Sequence, residues 1–189
     1  MSTSQADTSP RWSRRFHQNC YRRGLPDRFV QDNISFSKRG VLRGLHYQLG
    51  VPQGKLVSVV EGKVFDVAVD IRKGSPTFGQ WVGMILSSSD YKQMYVPEGF
   101  AHGFCVLSEA ALFTYKCTDY YAPQEQRGIR WDDPRLSIEW PISNPILSEK
   151  DRAYPMLGDV ASSDLPVFVN GRNGGMMEGW NSGMMGVKA

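Results

Sequence analysis

Histidine and cysteine are scarce in this chain of 189 residues, which contains three of each. Cys20, Cys105 and Cys117 are odd in number and form no CxxC pair, which argues against a disulfide framework and favours a reducing cytoplasm. No apolar run approaches the roughly 20 residues of a membrane helix, and the polar N-terminus has no apolar segment typical of a secretory signal. The net charge of +3 is too small to indicate nucleic acid. We therefore expect a cytoplasmic protein that binds neither membrane nor nucleic acid.

Metal-binding motifs are also lacking in the sequence. His46 is followed by Tyr47 and Gln48, so the chain has no pair of histidines separated by one residue at this position. His46 and His102, without a carboxylate at ligand spacing, make a poor metal site. The sequence therefore predicts no metal ion and no other cofactor.

Short strands separated by turn residues follow one another in the middle of the chain. They are predicted at residues 56–60, 64–71, 81–86, 93–96, 103–107 and 112–117. Their close spacing, without helical patterns between them, predicts an all-β sandwich or barrel. Asp66 and Asp70 share the less apolar face of the second strand, which is expected either of a ligand-accessible barrel interior or of a solvated surface.

Composition divides the chain into three parts. Residues 1–28 form a basic segment rich in arginine, which we interpret as either solvated or anion-binding. Residues 29–159 are predicted to form the β domain, and several prolines indicate that its last part wraps around the strands. Residues 160–189 are predicted to be a flexible tail, because the composition shifts from about Val160 and the stretch from Gly171 to Gly186 is rich in glycine, methionine and asparagine.

His46 and His102 are the candidate chemical groups. His46 lies close in sequence to Arg43 and Lys55, which combines a proton-transfer group with positive charge. This combination suits the removal of a proton beside a carbonyl group of an anionic substrate. His102 follows the turn Pro97-Glu98-Gly99 and is placed at the start of a strand.

Eight motifs occur in one order between Phe29 and Leu157. They are Gln31-Asp32-Asn33, Arg43-Gly44-Leu45-His46, Gln53-Gly54-Lys55-Leu56-Val57, Val64-Phe65-Asp66-Val67-Ala68-Val69-Asp70, Pro97-Glu98-Gly99-Phe100-Ala101-His102-Gly103-Phe104, Tyr115-Lys116, Tyr120-Tyr121 and Leu147-Ser148-Glu149-Lys150-Asp151. Together they resemble the dTDP-4-dehydrorhamnose 3,5-epimerase family, metal-free cupins of deoxysugar biosynthesis. The resemblance implies a cupin-like double-stranded β-helix (jelly roll) with a short C-terminal wrapping segment, assembled as a homodimer.

The resemblance also implies a reaction and its catalytic residues. The family inverts C3 and C5 of dTDP-4-dehydro-6-deoxy-D-glucose, giving dTDP-4-dehydro-L-rhamnose, by removing and returning protons beside the C4 ketone. His46 is expected to be the base, with Asp151 as its carboxylate partner. Tyr115 is expected to be the acid on the opposite face, and Lys55 to stabilise the enolate.

Substrate binding is implied at further positions of the same motifs. Arg43 and Lys150 are expected to hold the anionic nucleotide sugar, and Tyr121 to stack on the thymine. The complete set of expected substrate-binding residues is Gln31, Asp32, Asn33, Arg43, His102, Tyr121 and Lys150. Structural alternatives remain for individual groups: His46 as a satisfied strand histidine, Asp151 or His102 as turn caps, Tyr115 as a half-buried strand aromatic, Lys55 and Arg43 as surface charges, and Asp66 as structural support.

The chain departs from the family in two places. Ser9 stands where a substrate-binding arginine is expected, and Arg14 where a glutamate is expected, in a segment that crosses to the partner subunit in the family. Gln126 occupies a position that is usually glutamate. Two other functions therefore stay open: a mono-epimerase that inverts only C3 or C5 of a related dTDP-4-keto-6-deoxysugar, and a nucleotide-sugar-binding cupin without turnover.

Overall fold

The computed structural model describes residues 25–26 and 28–169. Within them lie the strands β1 (Gln31–Lys38), β2 (Leu42–Gln48), β3 (Lys55–Glu61), β4 (Lys63–Asp70), β5 (Trp81–Ser87), β6 (Gln93–Val96), β7 (Phe100–Val106), β8 (Ala110–Cys117) and β9 (Gln126–Gly128). Helical structure comprises α1 (Glu149–Ala153) and 3-10 turns at Pro123–Glu125, Leu157–Asp159 and Ser162–Asp164. Within these residues no helix combines the length and the apolar character that crossing a bilayer requires.

The strands form two antiparallel sheets. One has the order β1-β8-β3-β6, and the other has the order β5-β4-β7-β2-β9. Neighbours in these orders are often distant in sequence, as expected when strands alternate between the two layers of a jelly roll. The predicted all-β fold is confirmed, and the six predicted strands correspond to β3 to β8.

The main core lies between the two sheets and is apolar towards one end. Inward-facing side chains of both sheets meet there, because alternate residues of a strand point to the same face. Phe113 of β8 stacks on Phe104 of β7 with ring centroids 4.2 Å apart, and Val57 and Leu86 pack into the same cluster. Polar side chains, among them His102 and Asp66, also lie in the inter-sheet space beside this cluster, and the candidate site lies there.

A second core lies on the outer face of the five-stranded sheet. Val67 and Val69 of β4 point outward and are buried beneath Ile129, Leu136 and Leu157 from the chain that follows β9. The predicted C-terminal wrapping segment therefore exists, and it buries this sheet on both faces. Because β4 is covered on both sides, six of its eight residues are buried.

Asp66 and Asp70 lie in different environments, although they share a face of β4. Asp70 holds the turn that follows the strand: its carboxylate accepts hydrogen bonds from Arg72, Ser75 and Thr77. Burial alone would raise the pKa of Asp70, but these hydrogen bonds outweigh burial and lower it. Asp70 is thus a structural residue, whereas Asp66 points into the inter-sheet space.

The structure differs from the predicted tail over residues 160–169. Leu165 packs against the second core, and Val167 forms a parallel bridge with Lys73. The ring of Phe168 lies 5.0 Å from the guanidinium carbon of Arg72, which is buried between it and Phe100. Glycine-poor residues 160–169 thus have apolar side chains that pack on the barrel. The rest of the predicted tail, and the basic segment up to residue 24, lie outside the described residues.

Candidate active site

His46 and His102 are brought side by side by the pairing of β2 with β7. They are directly opposite each other in the register of the two strands. The register shifts between Arg43 and His46 at Gly44, where a Cβ atom would lie 2.5 Å from the Cα of Gly103. Glycine at both positions lets the backbones approach, and the irregular pairing directs His46 into the inter-sheet space.

His46 is hydrogen-bonded to Asp151, which is 105 residues away in sequence. The distance between Nε2 of His46 and Oδ1 of Asp151 is 2.5 Å, and the two side chains are 26% and 6% exposed. Ser148 caps α1 by accepting a hydrogen bond from the backbone N–H of Asp151, and its hydroxyl donates to the second carboxylate oxygen. Asp151 therefore caps no turn of its own, and its carboxylate is held in place against the imidazole.

The pKa values of this pair shift in directions that suit a neutral base. Burial lowers the pKa of His46 and outweighs the opposing effect of Asp151, while Lys55 and His102 lower it further. Burial would raise the pKa of Asp151, but hydrogen bonds from His46 and Ser148 lower it below its ordinary value. At neutral pH the imidazole is accordingly free to accept a proton beside an ionised carboxylate.

His102 has a carboxylate partner of its own in Asp66. Its Nε2 lies 3.0 and 3.1 Å from the two carboxylate oxygens, and both residues are buried. The imidazole also stacks on Phe113, with ring centroids 6.2 Å apart. Burial raises the pKa of Asp66, and His102 and Lys55 oppose that rise. Asp66 therefore supports His102, which is the structural alternative that the sequence left open for Asp66.

Tyr115 and Lys55 lie on the facing sheet. Tyr115 of β8 is paired with Val57 of β3 and Asn33 of β1, and Lys55 is paired with Cys117 at the end of the same ladder. Burial raises the pKa of the Tyr115 phenol, which keeps the phenol protonated at neutral pH. Burial lowers the pKa of the Lys55 ammonium. The site thus places the His46 imidazole on one sheet and the Tyr115 phenol and the Lys55 amine on the facing sheet.

The rim of the site is connected by hydrogen bonds. Gln31 donates to Asn33 and accepts from the backbone N–H of Tyr121. The Oε1 of Gln126 accepts from the hydroxyl of Tyr121 at 2.7 Å and from Nζ of Lys150 at 2.8 Å. Four of the predicted substrate-binding residues therefore lie together, and Gln126 joins two of them.

Two of the predicted binding residues, Arg43 and Asp32, differ in their position relative to the site. Arg43 is exposed, and its Nε donates to the hydroxyl of Ser37 at 3.1 Å. Its charge lowers the pKa of Tyr115, against the larger effect of burial, so it lies near the candidate acid. Asp32 is an exposed residue of β1 paired with Lys116 at 2.8 Å. Successive residues of a strand face opposite sides, so Asp32 points away from the site that Gln31 and Asn33 face.

Sequence reasoning overlooked Ser148 and left Gln126 as a departure without a role. The pattern Ser148-x-x-Asp151 has the spacing of an N-cap whose hydroxyl interacts with the third residue of a helix, so Ser148 could have been found. The partners of Gln126 could not, since they come from two segments that are adjacent only in the folded chain. Ser9 and Arg14 lie outside the described residues.

Metal-binding side chains do not cluster in the part of the chain that the structure describes. No group of three or more histidine, cysteine, aspartate or glutamate side chains is placed there to hold an ion. His46 and His102 are each hydrogen-bonded through Nε2 to a separate carboxylate.

Removing metal ions is therefore expected to leave the reaction unchanged. We expect kcat/KM after exhaustive chelation to stay within roughly twofold of the untreated enzyme, since a catalytic metal site needs about three protein ligands. Elemental analysis of the treated protein would show that removal was complete. A loss of activity that one added divalent ion restores would contradict a metal-free reaction.

The fold and the site together define a class of protein: a two-sheet β-barrel with a histidine–carboxylate pair facing a tyrosine and a lysine. A family profile described as dTDP-4-dehydrorhamnose 3,5-epimerase matches residues 4–159. The chain belongs to this family of isomerases, with the cupin-like jelly-roll fold that the sequence predicted.

Similar proteins support the assignment at high identity. A dTDP-4-dehydrorhamnose 3,5-epimerase of Pseudomonas aeruginosa is 61% identical over 147 residues, which are 77% of this chain and 80% of that protein. The crystal structure of a dTDP-6-deoxy-D-glucose-3,5-epimerase of Legionella pneumophila, in complex with dTDP-4-keto-L-rhamnose, matches with a TM-score of 0.77 and 54% identity, covering 83% of this chain and 82% of that chain. A 3'-monoepimerase of Streptomyces bikiniensis, in complex with dTDP-quinovose, matches with a TM-score of 0.74 and 33% identity, covering 79% and 77%.

Proposed function

We propose that this protein inverts C3 and C5 of dTDP-4-dehydro-6-deoxy-D-glucose to give dTDP-4-dehydro-L-rhamnose. The observation that supports this proposal best is the placement of the His46–Asp151 pair opposite Tyr115 and Lys55. An inversion needs a base on one side of a carbon and an acid on the other. The two sheets supply these two sides.

The proposed reaction uses one set of groups for both carbons. The hydrogens at C3 and C5 are acidic because the C4 ketone can hold the charge as an enolate. His46 removes the proton, and Asp151 stabilises the imidazolium that forms. The ammonium of Lys55 stabilises the enolate oxygen, and the hydroxyl of Tyr115 gives a proton to the opposite face of the carbon. Proton exchange with solvent then restores both groups for the second carbon.

The nucleotide is proposed to lie at the rim. Tyr121 offers a half-exposed ring for stacking on the thymine, and Gln31 and Asn33 offer amide groups. Arg43 and Lys150 provide positive charge for the diphosphate. The enzyme is proposed to act in the cytoplasm, and its buried free thiols Cys105 and Cys117 support a reducing compartment.

A coupled assay tests the proposed activity. Purified protein is incubated with dTDP-4-dehydro-6-deoxy-D-glucose together with an NADPH-dependent reductase that accepts only the doubly inverted ketone. We expect consumption of NADPH that depends on this protein. Consumption no faster than in the absence of the protein, at every enzyme concentration, would refute the proposal.

Mono-epimerisation is a second candidate function, because a 3'-monoepimerase shares the fold with a TM-score of 0.74. The reaction groups alone do not separate single from double inversion, since both need the same base and acid. The identity to that protein is 33%, against 54% and 61% for the two 3,5-epimerases compared above. We therefore place double inversion first.

The proposed assembly is a homodimer formed through the outer face of the four-stranded sheet. Ile34 and Phe36 of β1 and Val60 of β3 are 73%, 61% and 58% exposed on that face. Among the residues that the structure describes, β1 is also the edge strand of its sheet, and an edge strand can pair with another chain. A second copy of the same surface would cover this apolar row with two-fold symmetry.

Phe36→Lys is expected to convert the dimer to a folded monomer, because a charge at the centre of the apolar row has no partner in the interface. Light scattering after size exclusion should give twice the chain mass of 21.3 kDa for the wild type and once that mass for the variant. Ile85→Lys, at an exposed position on the edge strand of the other sheet, is the matched control and should remain dimeric. A wild-type monomer, or a dimeric Phe36→Lys variant, would contradict the proposed interface.

A further inference from the structure

Tyr154 contacts the catalytic histidine from outside the motifs that indicated the site. Its ring meets the imidazole of His46 edge to face, with centroids 5.6 Å apart and an interplanar angle of 66°. The phenol oxygen is buried and has no hydrogen-bond partner among the described residues. Within the described residues, ring contacts rather than a hydrogen bond of the hydroxyl hold this side chain in position.

The local sequence explains how the ring reaches this position. Pro155 follows Tyr154 and disfavours helical backbone at the residue before it, so α1 ends at Ala153. Tyr154 is accordingly extended, with φ −63° and ψ 146°. The carbonyl of Pro155 accepts a hydrogen bond from the backbone N–H of Arg130 at 2.9 Å, which fixes the segment beside the end of β9.

Gly128 of β9 provides the space for the ring. It is paired with His46 across β2 and β9, so it lies next to the base. A Cβ atom at Gly128 would collide with Cζ and Cε2 of Tyr154. The aromatic ring therefore occupies the room that a side chain at position 128 would take, directly against the His46–Asp151 pair.

We propose that Tyr154 is a positioning residue for the proton transfer, holding the imidazole of His46 against Asp151 and excluding water from the hydrogen bond between them. This inference rests on the proposed role of His46 as the base. The ring carries out the positioning, and the hydroxyl takes no part in it. Gly128 contributes to the same positioning of His46, because its lack of a side chain leaves room for the Tyr154 ring.

A change in the titration of His46 follows from this arrangement. The charged and titratable groups that face His46 are Asp151 of α1, Lys55 of β3 and His102 of β7, together with Tyr154 itself. Burial is the largest of the influences that lower the pKa of His46. Opening one side of the imidazole to water reduces this influence, so the pKa rises towards its ordinary value of 6.5. The base is then protonated at a higher pH, and the acid limb of the rate profile moves upward.

The test compares Tyr154→Ala with Tyr154→Phe in protein with carbon-13-labelled histidine. The chain has only three histidines, so His46→Asn assigns the resonance of His46. We expect the pKa of His46 to rise by on the order of half a unit or more in the alanine variant and to stay at the wild-type value in the phenylalanine variant. The acid limb of kcat/KM should move with it. Tyr91→Ala removes an exposed tyrosine elsewhere and is the control for loss of a tyrosine.

Gly128→Ala provides an independent route to the same displacement. It should raise the pKa of His46 when Tyr154 is present and should have no further effect in combination with Tyr154→Ala. If Tyr154→Ala does not fold, Tyr154→Leu is measured instead, because leucine keeps most of the volume but lacks the ring edge. The pKa of His46 should then rise by less than in the alanine variant.

The inference is overturned if His46 titrates as in the wild type in every variant that displaces the ring. It is also overturned if Tyr154→Phe shifts the pKa as much as Tyr154→Ala, because the hydroxyl would then be the active part. The titration needs no substrate, so it stands apart from the proposed reaction. Failure of the wild-type enzyme to turn over the keto sugar would remove the proposed function without changing the titration result.

Discussion

His46→Asn is expected to lower kcat/KM for epimerisation by roughly 100- to 10,000-fold, the usual loss when a general base is removed. Asparagine is preferred to alanine because its amide can still donate to the buried carboxylate of Asp151. Removing the hydrogen bond that His46 makes to this buried carboxylate would destabilise the fold by about 1–3 kcal/mol and confuse the result. The variant should therefore unfold within a few degrees of the wild-type temperature.

Binding and exchange measurements separate loss of the base from loss of the site. The dissociation constant for dTDP should stay within roughly threefold of wild type, since the nucleotide residues are untouched. Exchange of substrate hydrogen with deuterated solvent should fall together with turnover, because no enolate forms without a base. His102→Asn, which alters the paired histidine on β7, is the matched control and should lose less. Near-normal turnover by His46→Asn would remove His46 from the mechanism.

Tyr115→Phe is expected to separate the two halves of the reaction. The phenylalanine ring can keep the packing against Phe113, whose centroid lies 6.0 Å away, while the proton donor is lost. His46 still removes the proton and can return it only to the face from which it came. Inversion should therefore fall by roughly 100-fold or more, whereas hydrogen exchange should fall by less than about tenfold.

The measurement is deuterium incorporation at C3 and C5, followed by the configuration of both carbons in the same sample. Tyr95→Phe is the matched control, because it removes a phenol from β6 of the same sheet at a position that the mechanism does not use. An equal loss of exchange and inversion in Tyr115→Phe would make Tyr115 a binding or structural residue. Another group would then have to supply the second proton.

The strands that the sequence predicted are those whose hydrophobic pattern matches their burial. β1 was not predicted because its hydrophobic pattern is inverted. Polar Gln31 and Asn33 face the site, while apolar Ile34 and Phe36 are exposed. Alternation alone does not tell which face is inside when the interior is polar. The packing of residues 160–169 was not predicted either, because their partners Lys73 and Arg72 come from a turn that is distant in sequence.

The candidate catalytic residues come from the resemblance of their motifs, and the structure places His46 and Asp151 in contact. Single-sequence patterns cannot supply such a pair, since 105 residues separate its members. Asp32 shows the limit of carrying over a whole motif: it lies between Gln31 and Asn33 in sequence, but strand parity turns it to the outer face. No sequence motif indicated Tyr154, because its proposed role depends on the space that Gly128 leaves by having no side chain.

The most direct test of the account is the proton NMR spectrum of the product formed in deuterated water by the wild-type enzyme. Removal of a proton by His46 and delivery of a solvent-derived one by Tyr115 must leave a deuteron at each inverted carbon. We predict one deuteron at C3 and one at C5, with both configurations inverted relative to the substrate. A single deuteron at one inverted carbon would make the protein a mono-epimerase, and inversion without any deuterium would contradict proton exchange at this site altogether.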